Sequence, residues 1–568
     1  MRVNRWFTVL CTIVAITAVS IILNSCGGSN GERPADLKPV ITFPSGNIYT
    51  VKVGKNIKIS PTYQHAENAS FLWKEGDKTI STERSLTYSS NEIGDKYISL
   101  SVTNSAGIAK GEIRISVVDL ILPVISYHVP NEGIKVATGE SYKLSPTVEN
   151  GEKATYEWYV NNTKAGSTKD YTFSSSTNGT YNMKFVASTE DGKDQISFKI
   201  VVTEPSKIPF KWEFEKDTYY LSQGRKIRIM PRNIQNEFDA TYSFSVNGTQ
   251  KQSGAQKHFI FEGTVQGTYN LRVTMTNSYR SENKDLTVVV CPPEGTYKRT
   301  GGSGVRMNKV YEFMAAPGQF INEGYSATTM AEAVAYAESR LLSANADLYL
   351  SLGGWGGSVV VGFDHSIDND GGYNLQIRGN SFSGSSEPGI VWVMQDENGD
   401  GLPNDTWYEL KGSDYATETF DYAVTYYKPS STKQPVQWTD NKGVSGSIDY
   451  MGGYHTQDYY YPNWVSTNEY TIYGSLLKHK TSYTGGIWVN GNFNWGYADN
   501  WSSVDRVFPS IETCNHFKIG DAIDWQGNPV NLKYIDFVKV QTGVNMKAGI
   551  IGENSTEVQD FRDYNLMK

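Results

Sequence analysis

Cysteine is scarce in this sequence, with 4 among 568 residues. Cys11 and Cys26 lie near the start, which leaves Cys291 and Cys514 for everything after them. Two thiols so far apart make no disulfide framework and no metal-binding motif. Two isolated buried thiols are therefore the favoured reading, and a bridge between them the alternative. Histidine is also sparse, at 7 residues, and no GxSxG, HExxH or triad spacing occurs. That pattern argues against an enzyme and offers no catalytic residue. The net charge of -8 is spread without long runs, which argues against a nucleic-acid partner. After Leu23 no stretch approaches 18 apolar residues, so the chain beyond it is expected to be soluble and exported.

The amino terminus carries its own signal. Arg2 and Arg5 precede an apolar run from Trp6 to Leu23, followed by Leu23-Asn24-Ser25-Cys26-Gly27-Gly28. A branched apolar residue three before a cysteine, with small or polar residues between, resembles the lipobox of bacterial lipoproteins. The resemblance implies a signal peptide over 1–25 and a diacylglycerol on Cys26, holding the chain at the outer membrane; an exterior-facing placement rests on the stalk and head that follow. A transmembrane anchor is the rival reading, but no Lys/Arg cluster follows the run. Residues 26–38, rich in Gly and polar side chains, read as a tether. Only Glu32 and Asp36 are acidic there, too few to settle the leaflet.

What the chain has in abundance is aromatic residues, 37 Tyr and 13 Trp, which favours β-sheet surfaces. It also repeats. Gly54-Lys-Asn-Ile-Lys-Ile-Ser-Pro61, Gly139-Glu-Ser-Tyr-Lys-Leu-Ser-Pro146 and Gly224-Arg-Lys-Ile-Arg-Ile-Met-Pro231 are 85 residues apart, twice. Each leads to a strand with one large ring, Trp73, Trp158 or Phe244, and then to Tyr97, Tyr181 or Tyr269 entering a further alternating strand. A core ring and a corner tyrosine are the logic of an immunoglobulin-type sandwich. The units resemble PKD-like and Ig-like domains of bacterial surface proteins and are placed at 39–119, 120–205 and 206–294. Their expected role is a stalk, at roughly 40 Å per unit and over about 100 Å in all.

From 295 to 568 the repeat stops. One helix is predicted over 328–342, capped by Thr328 or Thr329 with Glu332, and with a stripe of Met330, Val334, Ala337 and Leu341. Short alternating strands surround it. The fold class is thus mainly β: tandem Ig-like/PKD-like sandwiches, then a larger jelly-roll-type β-sandwich with an inserted helix. Gly362-Phe-Asp-His365, Tyr373-Asn-Leu-Gln-Ile-Arg-Gly-Asn-Ser-Phe382, Ser386-Glu-Pro-Gly-Ile-Val391, Asp396 through Leu410 and Tyr534 through Gly543 carry a resemblance to the C-terminal domain of Bacteroides PKD-like-repeat surface lipoproteins. That group includes the surface cobalamin (vitamin B12)-binding lipoproteins. The resemblance implies a nutrient-binding protein that passes cobalamin to an outer-membrane TonB-dependent transporter.

Two constellations carry candidate chemistry. Asp396, Asn398, Asp400, the Leu402 carbonyl and Asp405 match the start of a calcium loop, with Gly401 at its turn. Trp407 stands where the usual Glu would be, so Asp405 or Glu409 would substitute. A plain hairpin turn is the alternative. The second constellation is aromatic: Tyr454, His455, Tyr459, Tyr460, Trp464, Trp488, Trp495 and Trp501, set among Gly, Asn and Asp. Rings on loops suit stacking against a corrin or a sugar, so a glycan of a polysaccharide-utilisation system is the alternative ligand and a glycan-active enzyme a weaker one. Asp364, His365, Asp368 and Asp370 form a further polar stretch without catalytic spacing.

Overall fold

The computed structural model describes residues 37–568 except 44–46, 120–121, 131, 344–347, 485–486 and 508–512. The expected signal peptide, Cys26 and the tether through residue 36 lie outside the described residues.

Three sandwiches share one plan. In the first, a five-stranded sheet runs in the order Ile48–Lys52, Gly107–Val118, Gly94–Asn104, Ser70–Glu75, Lys78–Ser81, and the other two repeat it. The outer strand pairs parallel with the last strand of its unit in all three, whereas the remaining pairs of each sheet are antiparallel. Strand alternation then divides the side chains: Phe71 and Trp73 turn inward from Ser70–Glu75, between exposed or half-buried neighbours. Trp73, Trp158 and Phe244 are fully buried. The hairpin register shifts immediately after each ring. The two indoles also satisfy their N–H groups, Trp73 on the Glu83 carbonyl at 2.9 Å and Trp158 on the Thr168 carbonyl at 3.1 Å. Phe244 has no N–H to place.

The repeated glycine has a backbone cause. Gly54, Gly139 and Gly224 take φ of +71°, +85° and +90°, a left-handed conformation that a Cβ disfavours. Each donates its N–H to a carbonyl across the unit at 2.8 Å (Ser90, Ser175 and Gly263). The tyrosines lie at the rim. Tyr181 and Tyr269 tie corners, bonding the carbonyls of Thr177 and Val265 at 3.0 and 2.8 Å, and are only half-buried. Tyr97 is 56% exposed. These rings close edges and do not fill cores.

The head is larger, and its named strands pair antiparallel among the described residues. Its main sheet orders Lys309–Met314, Ser358–Asp368, Tyr534–Thr542, Gly389–Met394, Trp407–Leu410 and Ala522–Ile523, with Tyr497–Ala498 beside Gly389–Met394. Such jumps along the chain are those of a jelly roll and not of a meander. A three-stranded sheet centred on Leu375–Arg378 shares the core with it, through Leu375, Ile377 and Phe561. A four-stranded sheet, Ser445–Ile448, Val436–Asp440, Thr419–Tyr427 and Glu469–Leu476, encloses a second core around Trp355, Tyr426, Tyr460 and Tyr461.

The helix is Met330–Leu341. Thr329 caps it, and its side chain and Glu332 bond each other's backbone amides in a capping box. The buried face is Ala333, Ala337 and Leu341, while Met330 is 40% exposed and Val334 half-buried. The stripe thus begins at Ala333: a small side chain lets the helix lie close against Lys309–Met314, and Met330 belongs to the exposed first turn. Cys291 and Cys514 are buried in different modules, and no disulfide joins them.

Candidate functional site

The second and third sandwiches fold back onto the head, which corrects the expected extended stalk. Lys547 of the head pairs with Glu149 of the second sandwich and with Asp449, and Thr147 bonds the Ser445 carbonyl. His128 stacks face to face on Tyr427. From the third sandwich, Arg225 bonds Glu397 and Gln395 at 2.5 Å each, and Arg228 grips both oxygens of Asp421 at 2.9 and 2.5 Å. Lys216 caps the carbonyls of Asn404 and Asp405 at 2.7 and 2.6 Å. The first sandwich meets the second through Lys52 and Asp191.

Between these modules lies a cleft of about 2330 Å³. Its floor comes from the head's main sheet, where the register sets Trp392 opposite both Lys539 and Glu409. The Lys539 ammonium stands 4.9 Å from the ring centres of both Trp392 and Trp407. Burial pushes the Lys539 ammonium down to about 8, against the pull of Glu215 and Glu312. Burial likewise lowers Lys216. Glu215 keeps a solvent-exposed side chain, and Arg232, Lys216 and Lys539 outweigh the local desolvation and hold it ionised, with Arg232 at 2.7 Å. Arg232 also lies 4.8 Å over the ring of Tyr473. Burial holds His128 down at about 4, so its ring is neutral in the stack with Tyr427.

The lining carries 11 Lys and Arg against 11 Asp and Glu, together with 14 Tyr, Trp and Phe. A charge-balanced wall does not select by net charge, so it suits a ligand recognised through rings and directed hydrogen bonds. Trp392 Nε1, Tyr408 OH, Gln437 Oε1 and Gln541 Oε1 are buried lining atoms with no hydrogen-bond partner. Glu409 and Glu418 form a direct carboxyl pair at the edge of the floor, and burial raises both. Two carboxyls bonded to each other leave no room for a sugar between them, unlike a glycosidase pair.

The predicted aromatic constellation does not converge. Tyr459 alone of the eight lines the cleft, half-buried. Tyr460 and Trp464 are core rings, at 0% and 5% exposure, and this corrects their assignment as ligand contacts. The Tyr460 hydroxyl is spent on the His455 carbonyl and the Met451 amide, and Trp464 packs on Phe313 and Tyr325. His455 pairs with Glu323 at 2.9 Å and lies edge-on to Phe320. Tyr454 is 70% exposed. Trp488 packs on Tyr483, Trp501 lies under Arg506, and Trp495 is half-buried; none of the three lines the cleft.

The calcium loop fits in part. Asp396 Oδ1 and Asp405 Oδ2 are buried oxygens without a donor, and burial pushes the Asp405 carboxyl up to about 8. The other donors are spent inside the loop. The Asn398 and Asp400 oxygens accept backbone amides at 2.9 and 2.8 Å, and the Leu402 carbonyl accepts from Asn404 at 2.9 Å. Lys298 also occupies Asp396. In the stretch at 364–370, buried His365 bonds Asp364 at 2.7 Å and Asp563 at 2.9 Å, and Lys568 reaches Asp370 at 2.7 Å.

Sequence reasoning missed the cleft because its wall is drawn from about 400 residues of chain. One signal was present: Trp392 and Lys539 break the apolar pattern of otherwise buried strands.

The family pattern described as a PKD-like domain matches residues 38–104 and 122–189. No curated protein matches the chain. The fibronectin(III)-like modules of Clostridium thermocellum CbhA align at 16% identity and a TM-score of 0.16, over 31% of this chain and 98% of theirs. The three N-terminal domains of the bacteriophage RB49 outer capsid protein Hoc align at 14% and 0.20, over 44% of this chain and 98% of theirs. Neither likeness carries an argument about function. The chain therefore holds PKD-like domains in its first two sandwiches, followed by a third of the same strand order and a larger β head.

Proposed function

We propose that this chain is a non-enzymatic surface lipoprotein, anchored through Cys26 at the outer membrane, whose cleft captures a bulky ligand of little net charge. Cobalamin is the first candidate, for hand-over to an outer-membrane transporter. The observation that carries the reading is the cleft itself: about 2330 Å³, walled by rings and matched charges from three modules. Ordinary small-molecule pockets span roughly 300–1,000 Å³, so a space of this size favours a larger ligand. Calcium in the 396–405 loop belongs to the same proposal, in a structural role beside the contacts of Arg225 and Lys216.

Calorimetry of the purified chain with cyanocobalamin tests it. The expected result is a saturable heat and co-elution of the red ligand, with affinity falling at least about tenfold in Trp407→Ala, an effect worth roughly 1.4 kcal/mol. Absence of heat and of co-elution removes cobalamin. The aromatic, charge-balanced groove also favours a second reading, a glycan. A glycan array probed with wild type and Trp407→Ala would then give signals that the variant loses.

A further inference from the structure

A second polar cluster lies in the head, apart from the cleft and from the 396–405 loop. Glu387, Asp499 and Glu557 each bring a carboxylate oxygen within 4.8 Å of the other two. They come from three separate segments: Glu387 precedes the strand Gly389–Met394, Asp499 follows Tyr497–Ala498, and Glu557 opens Glu557–Val558. Asp499 and Glu557 are buried, at 0% and 6% exposure, while Glu387 is partly exposed.

Backbone amides fix the three in place. Asp499 Oδ1 accepts from Asn380 and Ser381 at 2.8 Å each, and its Oδ2 accepts from Glu557 at 3.0 Å. Glu387 Oε1 accepts from Ser555 at 3.3 Å. These dipoles orient the carboxylates without cancelling three charges. No Lys or Arg is among the groups acting most strongly on them, which are one another, backbone amides and the side chains of Ser351, Asn380 and Ser555.

Two further atoms point to a missing partner. Glu557 Oε1 is sealed from solvent and receives no N–H or hydroxyl hydrogen bond, while the Glu557 and Glu387 carboxyls meet directly. The Ser381 hydroxyl, whose own amide donates to Asp499, is equally sealed and unpartnered. Oxygen ligands at about 2.3–2.6 Å from a calcium ion stand at most roughly 4.6–5.2 Å apart across it, whereas magnesium at about 2.0–2.1 Å demands a tighter cage. Separations under 4.8 Å admit either ion.

We infer that Glu387, Asp499 and Glu557 form a binding site for a hard divalent cation, probed as Ca²⁺, that locks the segments around 380, 387, 499 and 557 together. The rival account is protons held between the carboxyls. Chelated, purified chain titrated with CaCl₂ by calorimetry and analysed for bound metal by mass spectrometry separates the two. Asp400→Asn is included so that the 396–405 loop is scored apart. The expected result in the Asp400→Asn background is one equivalent of Ca²⁺ that disappears on adding Glu557→Gln, with a rise in melting temperature on adding Ca²⁺ that the double variant lacks. Should Glu557→Gln not fold, the partly exposed Glu387→Gln gives the same reading. In the Asp400→Asn background, no bound equivalent, or one kept in both Gln variants, overturns the inference and leaves a proton-sharing cluster.

Discussion

The sandwiches and the head bury different things. Among the described residues, Ser126 and Ser222 are the buried polar side chains of the sandwiches; the others, from Gln319 to Asp563, all lie in the head. A sandwich closes around a few rings and a set of aliphatics, and its hydrogen bonds are mostly backbone ladders. The head instead fixes irregular loops with side-chain networks. Asn515 bonds the Asn500 carbonyl at 2.8 Å and Asp505 at 3.0 Å, and Asn500 bonds the Phe493 carbonyl at 2.9 Å. Apolar cores tolerate repetition because burial is non-directional. Polar interiors do not, since each donor needs its own acceptor. The repeat therefore ends where directed interactions begin, and the repeated units serve as walls for a surface the head presents.

The contrast can be broken most severely at a sandwich core. Trp158→Ala empties a fully buried site and is expected to cost about 4 kcal/mol, melting the second sandwich before the head in denaturant unfolding. The junction comes next. Arg225→Ala strips Glu397, fully buried at its side chain, of its cation; a loss of roughly 3 kcal/mol at the contact should appear as earlier proteolysis between third sandwich and head. Arg228→Ala removes a pair at the exposed rim, with side chains 23% and 42% exposed, and is expected to change stability by less than about 1 kcal/mol in the same assay.

The subtlest test lies in the head's polar interior. Burial raises Glu409 and Glu418, Glu418 to about 7, above the unfolded value of roughly 4.3. Folded-state pKa values that are raised mean stability fully present below the unfolded value and lost as pH climbs through the folded one. The head's melting temperature should therefore fall between about pH 4.3 and 7. Glu418→Gln, which keeps a donor toward Glu409, should flatten that slope; an unchanged slope would show that the pair does not share a proton.

Much of the fold was legible in sequence because it depends on local rules. The Gly54, Gly139 and Gly224 turns, the Trp73, Trp158 and Phe244 rings and the Thr329–Glu332 cap each follow from conformation or alternation within a few residues. The candidate site was not. Tyr460 and Trp464 look like loop aromatics in sequence, yet their loop turns inward and spends both on core packing. Trp392, Trp407 and Lys539 sit in strands that read as core, and only the approach of the third sandwich makes their face a cleft.

The sequence by itself determined three repeated sandwiches, a β head with one helix, and an acidic, aromatic-rich chain with too few cysteines for a disulfide framework. These rest on periodicity and residue preference, which act over short stretches of chain. The tertiary structure alone decided that two sandwiches fold against the head, that a cleft opens between them, and that Glu387, Asp499 and Glu557 meet. Those outcomes depend on pairs such as Arg225 with Glu397, 172 residues apart, whose partnership no local pattern encodes.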